Sequence, residues 1–137
     1  MKSRDTFIRL KKFQVDERRR RVAQIESMIA DFQRMAGDLE REIQTEEERA
    51  GISDRSHFAY PTYAKAAIAR RENLTRSTDE LLGQLDDARG ALADAFEELK
   101  RVELLDERDH VRERGEENVH EHGSADSLMR PRMGAVA

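Results

Sequence analysis

An apolar residue recurs at every seventh position between residues 8 and 50, and this period restricts the fold more than any other feature of the chain. The d positions of the same heptads are apolar only in the middle, at Ile25, Phe32 and Leu39, and are charged at Lys11 and Arg18 and at Glu46. A seven-residue period held over this length is typical of a coiled-coil seam and not of a helix in a globular core. We therefore predict a first helix over about residues 5–50, with these residues at position a: Ile8, Val15, Val22, Ile29, Ala36, Ile43 and Ala50.

A second seam follows Pro61. Gly51 suits the left-handed conformation just past a helix end, and Pro61 suits the first turn of a new helix. We predict a loop over residues 51–60 and a second helix over about 61–110. Its a positions are Ala64, Arg71, Thr78, Leu85, Leu92 and Leu99, and its d positions are Tyr60, Ala67, Leu74, Leu81, Ala88, Ala95 and Val102.

The seam fails beyond Asp109. Residues 111–137 are polar and contain three glycines and Pro131. We predict a helix that frays to about residue 117 and is followed by a disordered tail. The predicted organisation is thus a hairpin domain over 1–110 and a tail over 111–137.

Charge predicts how the two seams pair. In a hairpin that turns near residue 56, residues 1–22 (net charge +6) face residues 90–111 (−4), and residues 36–51 (−4) face residues 61–76 (+3). Parallel self-association would place the +6 segments side by side, which opposes that arrangement. We predict an all-α fold, an antiparallel coiled-coil hairpin that is monomeric when free and forms a thin rod.

Composition narrows the function classes. Charged residues make up 39% of the 137, hydrophobic residues 37%, and there is no Cys, which excludes a disulfide scaffold, a Cys metal site and a thiol nucleophile. No apolar run is long enough to span a bilayer or act as a secretory signal, so we expect a cytoplasmic protein. Nucleotide-binding and hydrolase motifs are missing, so we expect no enzyme activity and no cofactor. We also expect no metal site at His120 and His122, because a disordered tail fixes no ligand geometry.

Arg18–Arg21 form a basic run, with Arg34 and Arg41 further along the same helix. These residues could bind phosphate groups or acidic lipids, or they could pair with Asp16, Glu17 and the acidic end of the second helix. The net charge is −4 and no aromatic residue interrupts the run. We therefore favour pairing within the protein or with a protein partner over binding to nucleic acid.

Two groups of apolar residues allow alternative interpretations. Residues beside the seam either widen it or line a groove for another helix. The loop aromatics either cap the hairpin or present an anchor cluster to a partner. The first group is Phe7, Met28, Met35, Ile68, Leu82 and Phe96, and the second is Phe58, Tyr60 and Tyr63.

Several segments together resemble a known family. The chain has a basic start that includes residues 7–12 (FIRLKK), a first helix rich in Arg and Glu, a loop with residues 58–63 (FAYPTY), and a second helix rich in Ala, Leu and Glu. Over about residues 1–110 this layout resembles the FliJ family of flagellar export proteins, most closely its alphaproteobacterial forms.

The resemblance implies a soluble coupling and chaperone-escort component of the flagellar type III export apparatus. Such a protein contacts the hexameric export ATPase, the cytoplasmic domain of the export gate and the export chaperones. It is peripheral to the inner membrane, on the cytoplasmic face, through these protein contacts. The alternative is a generic coiled-coil adaptor or chaperone-like hairpin with an unrelated client.

By position, the resemblance places the gate-contacting surface on both helices near the loop. With the loop aromatic Phe58 added, the predicted partner-binding residues are Leu39, Ile43, Phe58, Tyr60, Tyr63 and Ala67.

Overall fold

Two long α-helices form the protein in the computed structural model, which describes residues 3–119. Helix α1 spans Lys2–Ala50 and helix α2 spans Thr62–Val136; only their parts within residues 3–119 are described further, and these residues contain no strand. The predicted all-α helical hairpin is confirmed. Close contacts divide the chain into two compact units, Gln14–Ala95 and Met1–Phe13 with Phe96–Ala137, and each unit contains parts of both helices.

The end of α1 and the start of α2 follow from local backbone chemistry. Gly51 adopts a positive φ of 69°, and the N–H groups of Gly51 and Ile52 donate to the Glu47 carbonyl at 2.9 and 3.3 Å. Both bonds satisfy one carbonyl in the last turn of the helix, where the final carbonyls have no partner further along it. The Pro61 carbonyl accepts the first bond of α2, from the Lys65 N–H at 3.1 Å. The loop therefore begins and ends where the sequence predicted.

The core of the unit Gln14–Ala95 coincides with the two predicted seams. Almost every buried apolar side chain in this unit occupies a predicted a or d position, and Ile68 is the exception. Full burial of one such aliphatic side chain stabilises a fold by roughly 1.5–3 kcal/mol, so the seam supplies most of the stability. The buried residues are Val15, Ile25, Ile29, Ile43, Tyr60, Ala64, Ala67, Ile68, Leu81 and Leu85.

All of these buried residues except Val15 form two clusters along the hairpin. Beside the loop, Ile43 packs with Tyr60 and with two alanines and Ile68 of α2. Further along, Ile25 and Ile29 pack with Leu81 and Leu85. Because the distance between packed helices depends on the side chains at the contact, the alanines beside the loop allow α1 and α2 to approach closely there.

Two predicted seam positions on α1 are exposed. Ala50 is the last residue of α1, so the prediction of a seam contact there was wrong, because the chain leaves the helix at Gly51. Arg18 keeps its charged group in solvent, so the charge stays hydrated and there is no cost of burying it. At Ile68 the wider-seam interpretation is confirmed, because its side chain is only 9% exposed.

The unit formed by Met1–Phe13 and Phe96–Ala137 combines the buried side chain of Leu99 with ion pairs between the helices. Lys11 Nζ lies 2.9 Å from Glu98 Oε2, and Arg4 lies 3.2 Å from Asp106. The hydrogen bond from Lys11 holds the pKa of Glu98 below its ordinary value. Since the earlier residue of α1 pairs with the later residue of α2, the helices are antiparallel in this unit.

Ion pairs in the unit Gln14–Ala95 have the opposite polarity, with acids on α1 and bases on α2. Glu40 contacts Arg71, and Glu26 lies 3.5 Å from Arg89. The predicted charge complementarity is thus confirmed in both units. Exposed pairs of this kind stabilise a fold only slightly, so they act mainly on helix orientation.

The arginines of α1 also pair with acids three residues earlier in the same helix. The interpretation that the basic run pairs with Asp16 and Glu17 is confirmed for Arg19 and Arg20. The pairs along α1 are Asp16–Arg19, Glu17–Arg20, Asp31–Arg34, Asp38–Arg41 and Glu46–Arg49.

Helix α2 continues beyond residue 110. Residues 111–119 are helical, where we predicted a fraying helix, and their side chains are all exposed. The predicted disordered tail falls almost wholly on residues 120–137, which lie outside the described residues. No helix in the described part of the chain is both long and apolar enough to cross a membrane.

Replacing Leu85 with Asp tests the seam register. Leu85 is 6% exposed and packs in the cluster with Ile25 and Ile29, so a carboxylate there would be buried without a partner. We expect a loss of about 4 kcal/mol or more in the free energy of unfolding, measured by helical melting. The matched control is Leu82→Asp, because Leu82 is 47% exposed, and it should lose only about 0.5 kcal/mol, the difference in helix propensity between Leu and Asp. Equal melting of the two variants would contradict the register.

Candidate protein-binding loop

The loop between the helices is fixed by two consecutive turns. The His57 N–H donates to the Asp54 carbonyl at 3.1 Å, and the Tyr60 N–H donates to the His57 carbonyl at 3.0 Å. The Asp54 carboxylate accepts bonds from the Ser56 N–H at 3.0 Å and from the Ser56 hydroxyl at 2.7 Å. These bonds favour the ionised carboxylate, so the hydroxyl of Ser56 and then its N–H lower the pKa of Asp54.

Tyr60 closes the hairpin at the loop. Its ring is 4% exposed and belongs to the cluster with Ile43 and Ala64. Its hydroxyl donates to Glu47 Oε1 at 2.8 Å, which satisfies the polar end of a buried side chain. Burial, followed by the bond to Glu47, raises the pKa of Tyr60. The capping interpretation is therefore correct for Tyr60.

Tyr63 lies on the first turn of α2 and remains exposed. Its hydroxyl donates to Glu42 Oε2 of α1 at 2.9 Å, and this bond raises the pKa of Tyr63. One edge of its ring borders an open groove whose other lining residues are polar or charged. They are Asp38, Arg41, Glu42, Thr45, Glu46 and Arg49.

Phe58 is the most exposed large apolar side chain of the loop, at 95%. Its ring stacks on His57 with a centroid distance of 4.7 Å and an interplanar angle of 22°. The His57 ring is held in turn, because its Nδ1 accepts the Ala59 N–H at 3.0 Å. The loop thus presents an apolar ring to solvent on a backbone that hydrogen bonds keep in place.

The structure brings the six predicted partner-binding residues together around the loop but exposes only some of them. Ile43, Tyr60 and Ala67 are buried in the hairpin itself, and Leu39 packs partly against them. Side chains covered in this way cannot form a surface for a partner. The accessible members of the predicted set are Phe58 and Tyr63.

The apolar residues beside the seam also differ from one another in exposure. Ile68 is buried and Phe96 is half-buried. The other four are exposed, and the groove interpretation requires exposure of the residues that line the groove. They are Phe7, Met28, Met35 and Leu82.

Sequence reasoning did not single out six further exposed apolar residues. Four of them lie at outward heptad positions, which was the available signal: Leu10, Phe13, Leu104 and Val111. Leu105 flanks the seam, and Val119 lies beyond its predicted end.

The described residues contain no cluster of three His, Cys, Asp or Glu side chains able to hold a metal ion. His110 Nδ1 lies 2.8 Å from the Asp106 carbonyl and 3.4 Å from its carboxylate. His120 and His122, which we did not expect to bind metal, lie outside the described residues.

No protein-family model, curated protein sequence or solved structure matches this chain.

Removing the Tyr60 hydroxyl with Tyr60→Phe tests the cap. The raised pKa means that the folded state favours the neutral phenol over its ionised form. This stabilisation is present below pH ~10, the ordinary pKa of tyrosine, and is lost as pH rises through the raised folded value. We expect the melting temperature of the parent to decline above pH ~10 more steeply than that of the variant. Identical declines would show that ionisation of Tyr60 does not oppose folding.

The Asp54 turn is tested by Ser56→Ala. The folded state favours the ionised form of Asp54. The stabilisation that this carboxylate gives to the folded state is therefore present above the ordinary carboxyl pKa, and it is lost as pH falls through the lowered pKa of Asp54. Loss of the hydroxyl should raise the pKa of Asp54 toward the ordinary range, measured by NMR titration of its carboxyl carbon. Ser27→Ala, on an exposed face of α1, is the control and should leave this titration unchanged. An unchanged titration in Ser56→Ala would contradict the turn.

Proposed function

We propose that this chain is a non-enzymatic coupling and chaperone-escort component of the flagellar type III protein export apparatus. Its residues resemble the FliJ family, whose members are antiparallel coiled coils, and its helical hairpin fold agrees with that resemblance. The observation that carries a protein-binding role is the exposed ring of Phe58 on a hydrogen-bonded loop.

An exposed aromatic ring on a fixed loop suits protein recognition for two reasons. Aromatic side chains dominate the binding energy of many interfaces when they enter a pocket on the partner. Ordering a loop on binding costs free energy, and the turns at Asp54 and His57 already order this one. Phe58 is therefore suited to anchor a partner, and the exposed Tyr63 follows five residues later on α2.

The polar surface near Tyr63 suits the rim of such an interface. Glu42 and Glu46 of α1 lie along the groove beside Tyr63, together with Arg41 and Arg49. Charged groups of both signs at a rim contribute more to specificity and to the rate of association than to affinity. In this proposal Phe58 supplies the apolar contact and the groove supplies polar complementarity.

In the proposed role, the chain binds the export ATPase, the cytoplasmic domain of the export gate and the export chaperones. It is held at the cytoplasmic face of the cell membrane through these proteins. Ile43, Tyr60 and Ala67 are assigned to hairpin stability in this proposal, because their side chains are buried.

The decisive experiment is capture of the purified chain by the export ATPase and by the gate cytoplasmic domain of the same cell. Phe58→Ala should weaken capture by one of them about tenfold or more, the size of effect expected when an interface anchor is truncated. Its melting temperature should match that of the parent, because the side chain is already solvated.

The matched control is Leu82→Ala, which removes an exposed apolar side chain of α2 away from the loop. It should bind like the parent. Failure of both export proteins to capture the parent chain would refute the export role and favour the adaptor with an unrelated client. Capture that Phe58→Ala and Leu82→Ala leave equally intact would refute the loop as the binding surface.

A further inference from the structure

Three large apolar side chains form an exposed ridge on α1, outside the candidate loop. Phe7, Leu10 and Phe13 are 46–58% exposed. They are spaced three residues apart, which places them within an arc of about 120° on an α-helix. Ile8, which is half-buried, lies about 160° from Leu10 around the helix, on the side toward α2. The ridge therefore points away from the hairpin seam.

Cations flank this ridge on both sides. Lys11 lies one turn after Phe7, with its Nζ 5.2 Å from the centroid of the Phe7 ring. Arg9 lies one turn before Phe13, is exposed, and forms no ion pair with any other described residue. Side chains 3–13 include four basic residues and one acidic residue. An outward apolar ridge edged by basic groups is typical of helices that lie on a membrane surface.

The acidic residues of α2 in this unit pair with cations of α1 other than Arg9. Glu98 is paired with Lys11, and Asp106 is paired with Arg4. Arg9 is exposed and forms no ion pair among the described residues, so it adds a positive charge beside the apolar ridge.

We propose that the ridge Phe7–Leu10–Phe13 binds the surface of a membrane that contains anionic lipids. Residues 7–13 lie parallel to the membrane plane, and the three apolar side chains enter the boundary between headgroups and acyl chains. Arg9, at the edge of the ridge, contacts a lipid phosphate while its aliphatic stem covers apolar surface, and Lys11 stays paired with Glu98. Such binding is reversible and requires anionic lipid, because the ridge covers only two helical turns.

The shape of the ridge favours a lipid surface over a protein helix. In helix-in-groove recognition, the walls of a groove enclose the apolar face of the incoming helix. Here the apolar side chains project outward from a convex helix, with charged residues on both sides. Lipids can rearrange around a projecting side chain, whereas an acidic protein helix would touch it along one line. The inference does not depend on the proposed role in protein export.

The first test is flotation of the full chain with vesicles. We expect binding to vesicles of phosphatidylcholine mixed with phosphatidylglycerol, and little binding to phosphatidylcholine alone, at ~0.1 M salt. The triple variant Phe7→Ser, Leu10→Ser, Phe13→Ser should lose this binding. The matched triple Met28→Ser, Met35→Ser, Leu82→Ser removes similarly exposed apolar side chains elsewhere and should retain it.

A second test uses single charges. Arg9→Gln and Lys12→Gln each remove one exposed cation that has no ion pair among the described residues. Arg9 edges the ridge, whereas Lys12 lies about 160° from Leu10 around the helix. Arg9→Gln should therefore weaken vesicle binding several-fold more than Lys12→Gln.

Three results would overturn the proposal. The first is no flotation of the parent chain with anionic vesicles. The second is an equal loss of vesicle binding in the two triple variants or in the two charge variants. That result would indicate electrostatic attraction of the chain to the vesicles without docking of the ridge. The third is tight binding of an acidic helical peptide to the ridge without any vesicle binding, which would assign this surface to a protein.

Discussion

Burial of the apolar seam between α1 and α2 is the interaction on which the rest of the structure depends, because a chain with 39% charged residues has little else to bury. Ile25 and Ile43 are almost completely covered, and each lies in a cluster that joins the two helices. In proteins, most of the stability of a helix comes from packing of its apolar face rather than from intrinsic helix propensity. The seam therefore holds the helices together, and the ion pairs between them act on orientation.

The same seam determines what the loop presents to solvent. Tyr60 continues the seam and is buried, whereas Phe58, two residues earlier, projects outward because the turn at His57 reverses the chain between them. One short segment thus contains both a structural aromatic residue and an accessible one. This division explains why a single interpretation of the loop aromatics, as cap or as anchor, would have been incomplete.

The sequence predicted the seam well because a period of seven specifies which face of a helix is buried. The burial of Leu81 and Leu85 follows from that rule alone. The loop was less predictable, since the hydrogen bonds of Asp54 and His57 depend on backbone geometry that leaves no periodic signal. The binding surface carried over by position includes Ile43 and Ala67, whose side chains are buried, because residues close to a loop in sequence can still face the partner helix. Phe13 was missed because it lies at an outward heptad position.

The separation in sequence between contacting residues has a consequence for assembly of the hairpin. The bond from Tyr60 to Glu47 joins residues 13 apart, whereas Arg71 and Glu40 are 31 apart and Arg89 and Glu26 are 63 apart. If each contact formed alone in an open chain, closing the longest of these loops would cost about 1.4 kcal/mol more chain entropy than closing the shortest. The entropy cost of bringing the two helices into contact is thus lowest beside the turn and grows slowly with distance from it. Once a contact beside the turn has formed, the next contact along the hairpin closes a shorter loop of free chain.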